Sequence, residues 1–490
     1  MHRCLEILEI LAQIADCVPM RTEESPRFAP PLQGTSDLVA MACTCKLFYE
    51  PAMNTLWEEM RGLDALKGVA AQLRSTAPCR STHLYANLAR VKRLSIVDSA
   101  PGELRQVVRS IPLATAVLLP SLKRLDLFEV SAKDAESVRS LFGPRLKSAW
   151  VGTDAHGVAK FLPYLPKASP GLETLSAASW PQEAHGIIAE LPHLREVNIF
   201  FWVNIPTLTQ LHLSASSVQK MSLSCIRSLA WQPNATGFSS LISLHVDDII
   251  DYQSMTSFLH ALPPYVLKYL ALGFIDSLDP DVPATNEVMN AISRFHNLID
   301  LSIDGWKGSP SAEYDIGPLL LLCKLQSVWI RLAGMERQIV DGNVEKFCAA
   351  WPDLRSFGLE QDMFSVMVPA GLTLESLGLF AEHLPGLEHL DLELDATVKL
   401  GAPKPSQVSE AAIKLDLSNS LISETSCPWV AKYISAVYPN AKLRIDHEYD
   451  VEKISPEMKA YWKNVEAVLP VLSSVRTEGC RHAPATSSNI

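Results

Sequence analysis

The side chains that could perform chemistry in this chain are scattered, and none has the spacing that catalysis or metal binding requires. Cys43 and Cys45 lie one residue apart on a predicted helix, so their thiols point in different directions and cannot hold one metal ion. His383 and His389 are six residues apart across a predicted helix-to-strand turn, which is not a metal-binding spacing. The chain contains no zinc-protease, nucleophile-elbow, phosphate-loop or dinucleotide-binding motif. The sequence therefore predicts a protein that uses no cofactor and is not an enzyme.

Composition narrows the class of protein further. Of the 490 residues, 48% are hydrophobic and 20% are charged, so the chain can bury a large core. The formal net charge of −11 argues against nucleic acid as a partner. The ten cysteines show no paired framework, which is typical of a reducing compartment. The apolar N-terminus is interrupted by acidic residues, and no apolar run is long enough to cross a bilayer. We therefore expect a cytoplasmic and/or nuclear protein without a membrane partner.

The elements that must position any binding residues are repeats. A degenerate Leu-x-x-Leu-x-Leu pattern recurs from about Val91 onward, mostly at intervals of roughly 22 to 33 residues, which is at or just above the period of leucine-rich repeats. A proline stands two residues before the first strand leucine in five copies, at Pro120, Pro170, Pro192, Pro352 and Pro385. Proline ends the preceding helix and prepares the turn. The predicted unit is therefore a helix, a proline turn and a short strand.

These units resemble leucine-rich repeats over most of the chain from about 90 to 450. The resemblance implies an α/β fold, an irregular leucine-rich-repeat solenoid of horseshoe type, with short parallel strands inside and helices outside. Because the spacing drifts and the usual asparagine after the strand is mostly missing, we expect an irregular arc.

Three short amphipathic helices are predicted ahead of the repeats. The second begins at the favourable N-cap Asp37. An apolar stripe at helical spacing follows it: Leu38, Met41, Ala42 and Cys45. In the third helix, Pro51 stands in the first turn, where its missing N–H costs nothing. Three such helices are too small to sustain a core alone, so a partner or a neighbouring domain is expected to cover them.

This segment resembles the F-box of fungal F-box proteins. The resemblance is carried by Glu6-Ile7-Leu8, Leu38, Ala42, Thr44-Cys45-Lys46, Phe48, Pro51-Ala52 and Leu56-Trp57. It implies that the helices dock on the Skp-type linker of an SCF-type cullin-RING ubiquitin ligase, whose other subunits transfer ubiquitin. The docking residues implied are Ile7, Leu8, Leu38, Ala42, Cys45, Phe48, Pro51, Leu56 and Trp57.

Two features depart from the family pattern. Arg3-Cys4 stand where many members have Leu-Pro, and a proline-rich insert at 19–35 separates the first helix from the second. A second interpretation therefore stays open, in which the helices only cap the first repeat. The chain would then be a leucine-rich-repeat protein-binding scaffold without ligase function.

The patterns divide the chain into five segments. They are an F-box-like helical domain at 1–62, a helical connector at 63–90, a leucine-rich-repeat-like solenoid at 91–450, a C-terminal helical cap at 451–475 and a disordered tail at 476–490. The connector is expected to pack the helical domain onto the first repeat.

The concave face of the repeats is the candidate substrate-binding surface. In a Leu-x-Leu strand the leucines face the core, so the residues between and after them face the concave side. The candidates are Phe128, Phe200, His245, Asp247, Asp304, Trp329, Arg331, Glu360, Asp391 and Glu393. Aromatic anchors in a polar surround are typical of partner hot spots. Because acidic residues predominate in the second half, we expect a protein substrate with a basic segment. The alternative is that these faces are polar only for solubility.

Overall fold

The computed structural model describes residue 13 and residues 35–75, 78–97, 100–111, 117–128, 130–152, 158–160, 162–178, 182–200, 217–224, 238–249, 252–274, 282–305, 314–332, 338–360, 371–417, 419–445 and 455–482. The chain divides into two compact units, residues 1–223 and 224–490. Both units are built from parallel strands that follow one another in chain order.

The first unit begins with helices and continues as repeats. Its α-helices are α1 Thr35–Thr44, α2 Lys46–Glu58, α3 Asp64–Ser75, α4 Pro78–Leu88, α5 Glu103–Ser110, α6 Ala135–Val138 and α7 Leu165–Ala168. Short 3-10 helices cover Ala132–Asp134, Arg139–Leu141, Leu162–Tyr164 and Gln182–Glu190. Its strands are β1 Glu59–Arg61, β2 Arg93–Ile96, β3 Arg124–Phe128, β4 Ser148–Gly152, β5 Thr174–Ala177, β6 Glu196–Ile199 and β7 Lys220–Ser224, whose last residue opens the second unit.

Strand register stacks the apolar residues of the first unit into two buried columns. One column consists of Met60, Leu94, Leu125, Ala149, Leu175, Val197 and Met221. The other consists of Ile96, Leu127, Val151, Ala177, Ile199 and Leu223. All of these residues are buried, while the residues between them along each strand are at least partly exposed at most positions. Each strand therefore has one core face and one open face, as its alternating pattern predicts.

The second unit repeats this design with longer strands. Its strands are β8 Ser243–Ile249, β9 Tyr269–Phe274, β10 Asp300–Gly305, β11 Ser327–Leu332, β12 Ser356–Glu360, β13 His389–Leu392, β14 Lys414–Asp416 and β15 Lys442–Arg444. Its α-helices are α8 Tyr252–Ala261, α9 Val282–Ile292, α10 Asp341–Ala350, α11 Glu375–His383, α12 Cys427–Val437 and α13 Pro456–His482, with 3-10 helices at Gly317–Leu321 and Pro405–Gln407. Its first apolar column consists of Leu244, Leu270, Leu301, Val328, Phe357, Leu390, Leu415 and Leu443.

The proline turns form as predicted and close each helix onto the next strand. The N–H of Leu122 donates to the carbonyl of Leu119 at 3.1 Å, and that of Leu387 donates to Leu384 at 3.1 Å. In each case proline follows the acceptor residue, the turn position where its fixed φ is favourable. The parallel register, the buried columns and these turns confirm the α/β leucine-rich-repeat fold in both units.

The long helix α13 covers the last repeat of the second unit. Its Trp462 is fully buried and donates its indole N–H to the carbonyl of Ser420 at 3.0 Å. Its Ser473 donates a hydroxyl to the carbonyl of Pro439 at 2.7 Å. This helix runs to His482, so the first part of the segment predicted as a disordered tail at 476–490 is helical.

Two strands were missing from the sequence-based prediction. β1 brings Met60 into register with Leu94, and β4 brings in Ala149 and Val151. The Leu-x-x-Leu-x-Leu pattern misses β4 because alanine replaces the central leucine. The position predicted for Pro51 was also wrong. Because α2 begins at Lys46, this proline lies inside the helix and leaves the carbonyl of Leu47 without its intrahelical donor.

Candidate functional site

The helices α1 and α2 pack on each other through a small core of their own. Leu38 and Ala52 are fully buried, and three half-buried residues pack against them: Met41, Ala42 and Leu56. Cys45 joins the two helices in an extended conformation, with φ −161° and ψ 164°. The N–H of Phe48 donates to the carbonyl of Cys45 at 3.1 Å. A link of one residue leaves the helices little freedom to separate.

Three large apolar side chains of this helix pair are exposed. Val39 is 47% exposed, Leu47 is 42% exposed and Tyr49 is 40% exposed. We call these three residues the helix-pair patch. Large apolar side chains left exposed on so small a structure are typical of a surface that binds another protein.

The docking residues implied by the F-box resemblance have several different environments. Leu38 and Pro51 are buried, so they support the helix pair from within and cannot contact a partner directly. Ala42, Cys45, Phe48, Leu56 and Trp57 are half-buried. Ile7 and Leu8 lie outside the described residues. The sequence pattern missed the helix-pair patch because the apolar stripe of Leu38, Met41 and Ala42, which packs against α2, looked like the docking face of α1. The available signal was Val39, an apolar residue outside this stripe, about 100° around the helix from Leu38.

The helix pair is joined directly to the first repeat. α2 ends at Glu58, and β1 begins at the next residue and pairs with β2. The N–H of Lys92 donates to the carbonyl of Glu58 at 2.8 Å. Arg90 forms an ion pair with Glu50 at 2.7 Å and also binds the side chain of Asn54. The hydrogen bond from Arg90 lowers the pKa of the Glu50 carboxyl. Helix pair and repeat strands thus form a continuous structure.

Aromatic side chains form a patch on the open face of the first unit. The rings of Phe128 and Trp150 stack with centroids 4.1 Å apart, and the centroids of Trp150 and Phe200 are 6.4 Å apart. Phe128 and Phe200 were predicted, whereas Trp150 was missed together with β4. We call these three residues the aromatic patch. Phe200 is 42% exposed, so the patch presents an apolar surface for a partner.

Gly152 makes room for this arrangement. It lies opposite Phe128 in the register of β3 and β4, and it is two residues from Trp150 on the same face. A Cβ atom at Gly152 would lie 2.0 Å from two ring atoms of Trp150. The indole therefore lies flat over this glycine and reaches the ring of Phe128.

Charged residues on the open face of the second unit are paired with each other. Asp304 and Arg331 are register partners on β10 and β11, and Arg331 Nε donates to Asp304 Oδ1 at 2.7 Å. A second contact joins Arg331 Nη2 to Asp304 Oδ2. Trp329 lies over Gly358 of β12, where a Cβ atom would be 2.3 Å from its ring. The acidic charge expected at Asp304 is thus largely compensated by its neighbour.

His245 and Asp247 form a similar pair at the other end of this face. His245 Nε2 and Asp247 Oδ1 are 2.8 Å apart. This hydrogen bond raises the pKa of His245, and burial partly opposes the shift. β8 is irregular after Val246, and Asp248 adopts a left-handed φ of 57°. Asp247 Oδ1 would be 3.1 Å from a Cβ atom at Gly273, so this glycine lets the carboxylate lean over β9.

Two of the remaining acidic candidates, Glu393 and Asp391, are not exposed. Glu393 is only 6% exposed, so its predicted place on the accessible binding face was wrong. Asp391 is half-buried. Glu360 ends β12 opposite Arg331 in the strand register. The burial of Glu393 and the ion pair of Asp304 therefore leave less acidic charge on this face than the sequence predicts.

The described residues contain no group of three or more His, Cys, Asp or Glu that could hold a metal ion. Free thiols are present at Cys43, Cys45, Cys323, Cys348 and Cys427. Burial raises the pKa of the Cys348 thiol to about 12, so this thiol is neutral at physiological pH. Within the same ranges, every helix is too short or too polar to cross a membrane.

Comparisons with known proteins find similarity to solved structures. No protein-family model matches the chain, and no curated protein sequence matches it. A leucine-rich-repeat protein of Leptospira interrogans is similar in structure, with 14% identity and a TM-score of 0.35, covering 79% of this chain and 99% of that chain. The Rad7 and Elc1 complex of yeast is similar with 15% identity and a TM-score of 0.35, covering 75% of this chain and 91% of that chain. The assignment of the repeat fold rests on the strand register and buried columns of this chain.

Proposed function

We propose that this chain is a substrate-recognition adaptor of an SCF-type cullin-RING ubiquitin ligase. In this proposal α1 and α2 dock on the Skp-type linker, and the repeat strands bind a protein substrate. One observation carries the proposal: a two-helix pair with exposed apolar side chains is built directly onto leucine-rich-repeat strands through β1.

The helix-pair patch is suited to docking on another protein. Its three side chains are each roughly half-exposed, so burying them in a partner contributes about 1 kcal/mol each. The half-buried Phe48 and Trp57 can add to this surface. Because Leu38 and Ala52 hold the two helices together, the exposed residues need little reorganisation on binding.

The aromatic patch is the proposed centre of substrate binding. Its stacked rings are already ordered by each other and by Gly152, so a partner does not have to fix them. Aromatic residues of this kind dominate the binding energy of many interfaces. A basic segment of the substrate remains a secondary proposal, since Asp304 and Asp247 already have partners within this chain.

The chain itself performs no chemistry in this proposal. By binding the ligase at one end and the substrate at the other, it raises the effective concentration of substrate lysines near the conjugating machinery. We propose that it acts in the cytoplasm or nucleus, and its free thiols are compatible with those reducing compartments.

Docking can be tested by co-purification with a Skp-type linker. The variant Val39→Glu, Leu47→Glu places two charges in the helix-pair patch without disturbing the buried Leu38. The matched control is Val468→Glu, Val471→Glu, which alters exposed valines of α13. Wild type and control should retain the linker. The patch variant should co-purify with at least tenfold less linker than wild type.

Two results would contradict this proposal. If wild type retains no linker, the chain is better described as a protein-binding scaffold whose helices cap the first repeat. If the patch variant retains as much linker as wild type, the helix-pair patch is not the docking surface.

Substrate binding requires a separate experiment. Phe200→Ala removes an exposed ring of the aromatic patch, and Tyr265→Ala is a control because Tyr265 is 69% exposed in the second unit. Proteins lost by Phe200→Ala and retained by the control are candidate substrates, and their ubiquitination by the reconstituted ligase is then measured. Unchanged capture and ubiquitination in Phe200→Ala would exclude the aromatic patch as the substrate site.

A further inference from the structure

A cleft of about 360 Å³ lies in the first unit, beside α2 and at the starts of β2 to β4. Its polar lining residues are Asn54, Arg90, Lys92, Ser121, Lys123 and Arg145. Ala89 is its only apolar lining residue. A lining of four cations and two uncharged hydrogen-bonding side chains suits a small anion.

The repeat architecture brings these cations together. Lys92 and Lys123 occupy equivalent positions just before β2 and β3, and the N–H of Lys123 donates to the carbonyl of Lys92 at 2.7 Å. The equivalent residue before β4 is Lys147, whose N–H donates to the carbonyl of Lys123 at 2.8 Å. Adjacent strands lie about 4.8 Å apart, so side chains at this position project side by side.

Of the three lysines before β2, β3 and β4, the two outer ones have acidic partners. Lys92 Nζ lies 3.4 Å from Glu58, and Lys147 Nζ lies 2.7 Å from Glu173. Lys123 stands between them and has no acidic partner among the described residues. The lysines on both sides of Lys123 are therefore in ion pairs, whereas Lys123 is not.

Two arginines, Arg145 and Arg90, also line the cleft. Arg145 is exposed in the turn before β4 and has no ion pair within the described ranges. Arg90 binds Glu50 and Asn54 through its Nη1, but its Nε is buried without a hydrogen-bond partner. The cleft is thus lined by two cations, Lys123 and Arg145, that have no ion pair among the described residues.

This positive charge is local. The full chain has a net charge of −11, whereas residues 90–147 contain eleven Lys and Arg and six Asp and Glu. Like charges gathered in one cleft disfavour one another unless an anion lies between them. Concentrating cations there in an acidic protein therefore points to a bound anion.

We propose that this cleft binds a phosphate group, carried either by a phosphorylated side chain of a partner or by a small phosphorylated compound. A phosphate monoester carries a charge of about −1.5 to −2 near pH 7, which the two unpaired cations Lys123 and Arg145 match. Arginine offers paired N–H donors to phosphate oxygens, and the Ser121 hydroxyl can donate to a third oxygen.

The cleft also spans two structural elements of the first unit. Asn54 belongs to α2, whereas Lys123 and Arg145 belong to the repeats. A phosphate bound between them would connect the helix pair to β3 and β4 and stabilise their junction. This inference does not depend on the proposed ligase role, since it concerns a different surface from the helix-pair patch.

The test is isothermal titration calorimetry of the full chain at constant ionic strength. The probes are pyrophosphate, a phosphoserine peptide and the same peptide without the phosphate. Lys123→Ala, Arg145→Ala is compared with the control Lys414→Ala, Arg444→Ala, which removes the same exposed charges from the second unit. Wild type and control should bind at least one phosphate probe, and the cleft variant should bind it at least tenfold more weakly.

The probes also distinguish the two sources of phosphate. Preference for the phosphoserine peptide over pyrophosphate would support a modified partner protein, and the reverse preference would support a free compound. No binding of either probe by wild type would overturn the proposal, as would equal binding by wild type and cleft variant. Binding of an RNA oligonucleotide without binding of either phosphate probe would also overturn it.

Discussion

Asp304 and Arg331 face each other on the neighbouring strands β10 and β11, where a two-point ion pair neutralises them on the open face. Their side chains are 26% and 16% exposed, so the pair is only partly hydrated. Without Arg331, the carboxylate of Asp304 would attract a basic partner. In the structure it instead holds the guanidinium of Arg331. The pair also lies beside Trp329, whose ring rests over Gly358.

Reversing one charge of this pair should destabilise the second unit. Asp304→Arg places two partly buried cations opposite each other, and we expect a loss of about 1–2 kcal/mol in the free energy of unfolding. The double variant Asp304→Arg, Arg331→Asp restores opposite charges and should recover at least half of that loss. Urea unfolding measures both values, and absence of recovery in the double variant would show that the pair is not the cause.

Gly152 offers a second test, because any side chain there displaces the indole of Trp150. Gly152→Ala should destabilise the first unit by about 1–3 kcal/mol, since the ring must leave its stacked position on Phe128. Tryptophan fluorescence and near-ultraviolet circular dichroism should report the movement.

Gly68→Ala is the control for this substitution and has the opposite expected sign. Gly68 lies in α3, where a Cβ atom would have no neighbour within 4 Å, so alanine should stabilise the helix by about 0.5–1 kcal/mol. Equal effects of the two substitutions would contradict the role assigned to Trp150.

Asp134 connects two repeats from a fully buried position. Its carboxylate accepts the N–H of Gly102 and the N–H of Arg105, both at 2.8 Å, and so caps the start of α5. Asp134→Ala leaves both N–H groups without this acceptor, and we expect a loss of about 2–3 kcal/mol on urea unfolding. Glu136→Ala alters an exposed acid two residues away and should change stability by less than about 0.5 kcal/mol. A loss of similar size in both variants would exclude the capping role.

The repeat fold could be predicted because its signals are local. The proline before Leu122 or Leu387 and the leucines that follow it lie within a few residues of each other and set the turn and the core face. β4 escaped prediction because Ala149 fills a leucine position, which becomes recognisable only when its register with Leu125 is known.

The candidate surfaces were harder to predict because they depend on pairing across repeats. Asp304 and Arg331 are 27 residues apart, and only the register of β10 and β11 shows that they neutralise each other. Likewise, α1 carries the neighbouring apolar residues Leu38 and Val39, and packing against Ala52 decides that Leu38 is buried while Val39 remains exposed. Sequence spacing identifies the faces of a helix but does not tell which face meets the next helix.

His245 should make the stability of the second unit depend on pH. Its hydrogen bond to Asp247 raises its pKa above the ordinary value of 6.5, so folding favours the protonated imidazole. The stabilisation is therefore fully present below pH 6.5 and is lost as the pH rises through the raised pKa of the folded state. Asp247→Asn removes the charge that favours protonation and should lower the pKa of His245 and reduce this pH dependence.

The measurement is an NMR titration of the His245 ring, assigned with the variant His245→Gln, together with urea unfolding at several pH values. Wild type should be more stable than Asp247→Asn at pH 6, and the difference should shrink at pH 9 because the imidazole is then neutral in both proteins. Asp248→Asn is the matched control, since Asp248 is the adjacent acid and His245 is hydrogen-bonded to Asp247. If Asp248→Asn lowers the pKa of His245 as much as Asp247→Asn, the shift comes from general negative charge on β8, and the hydrogen bond is not its main cause.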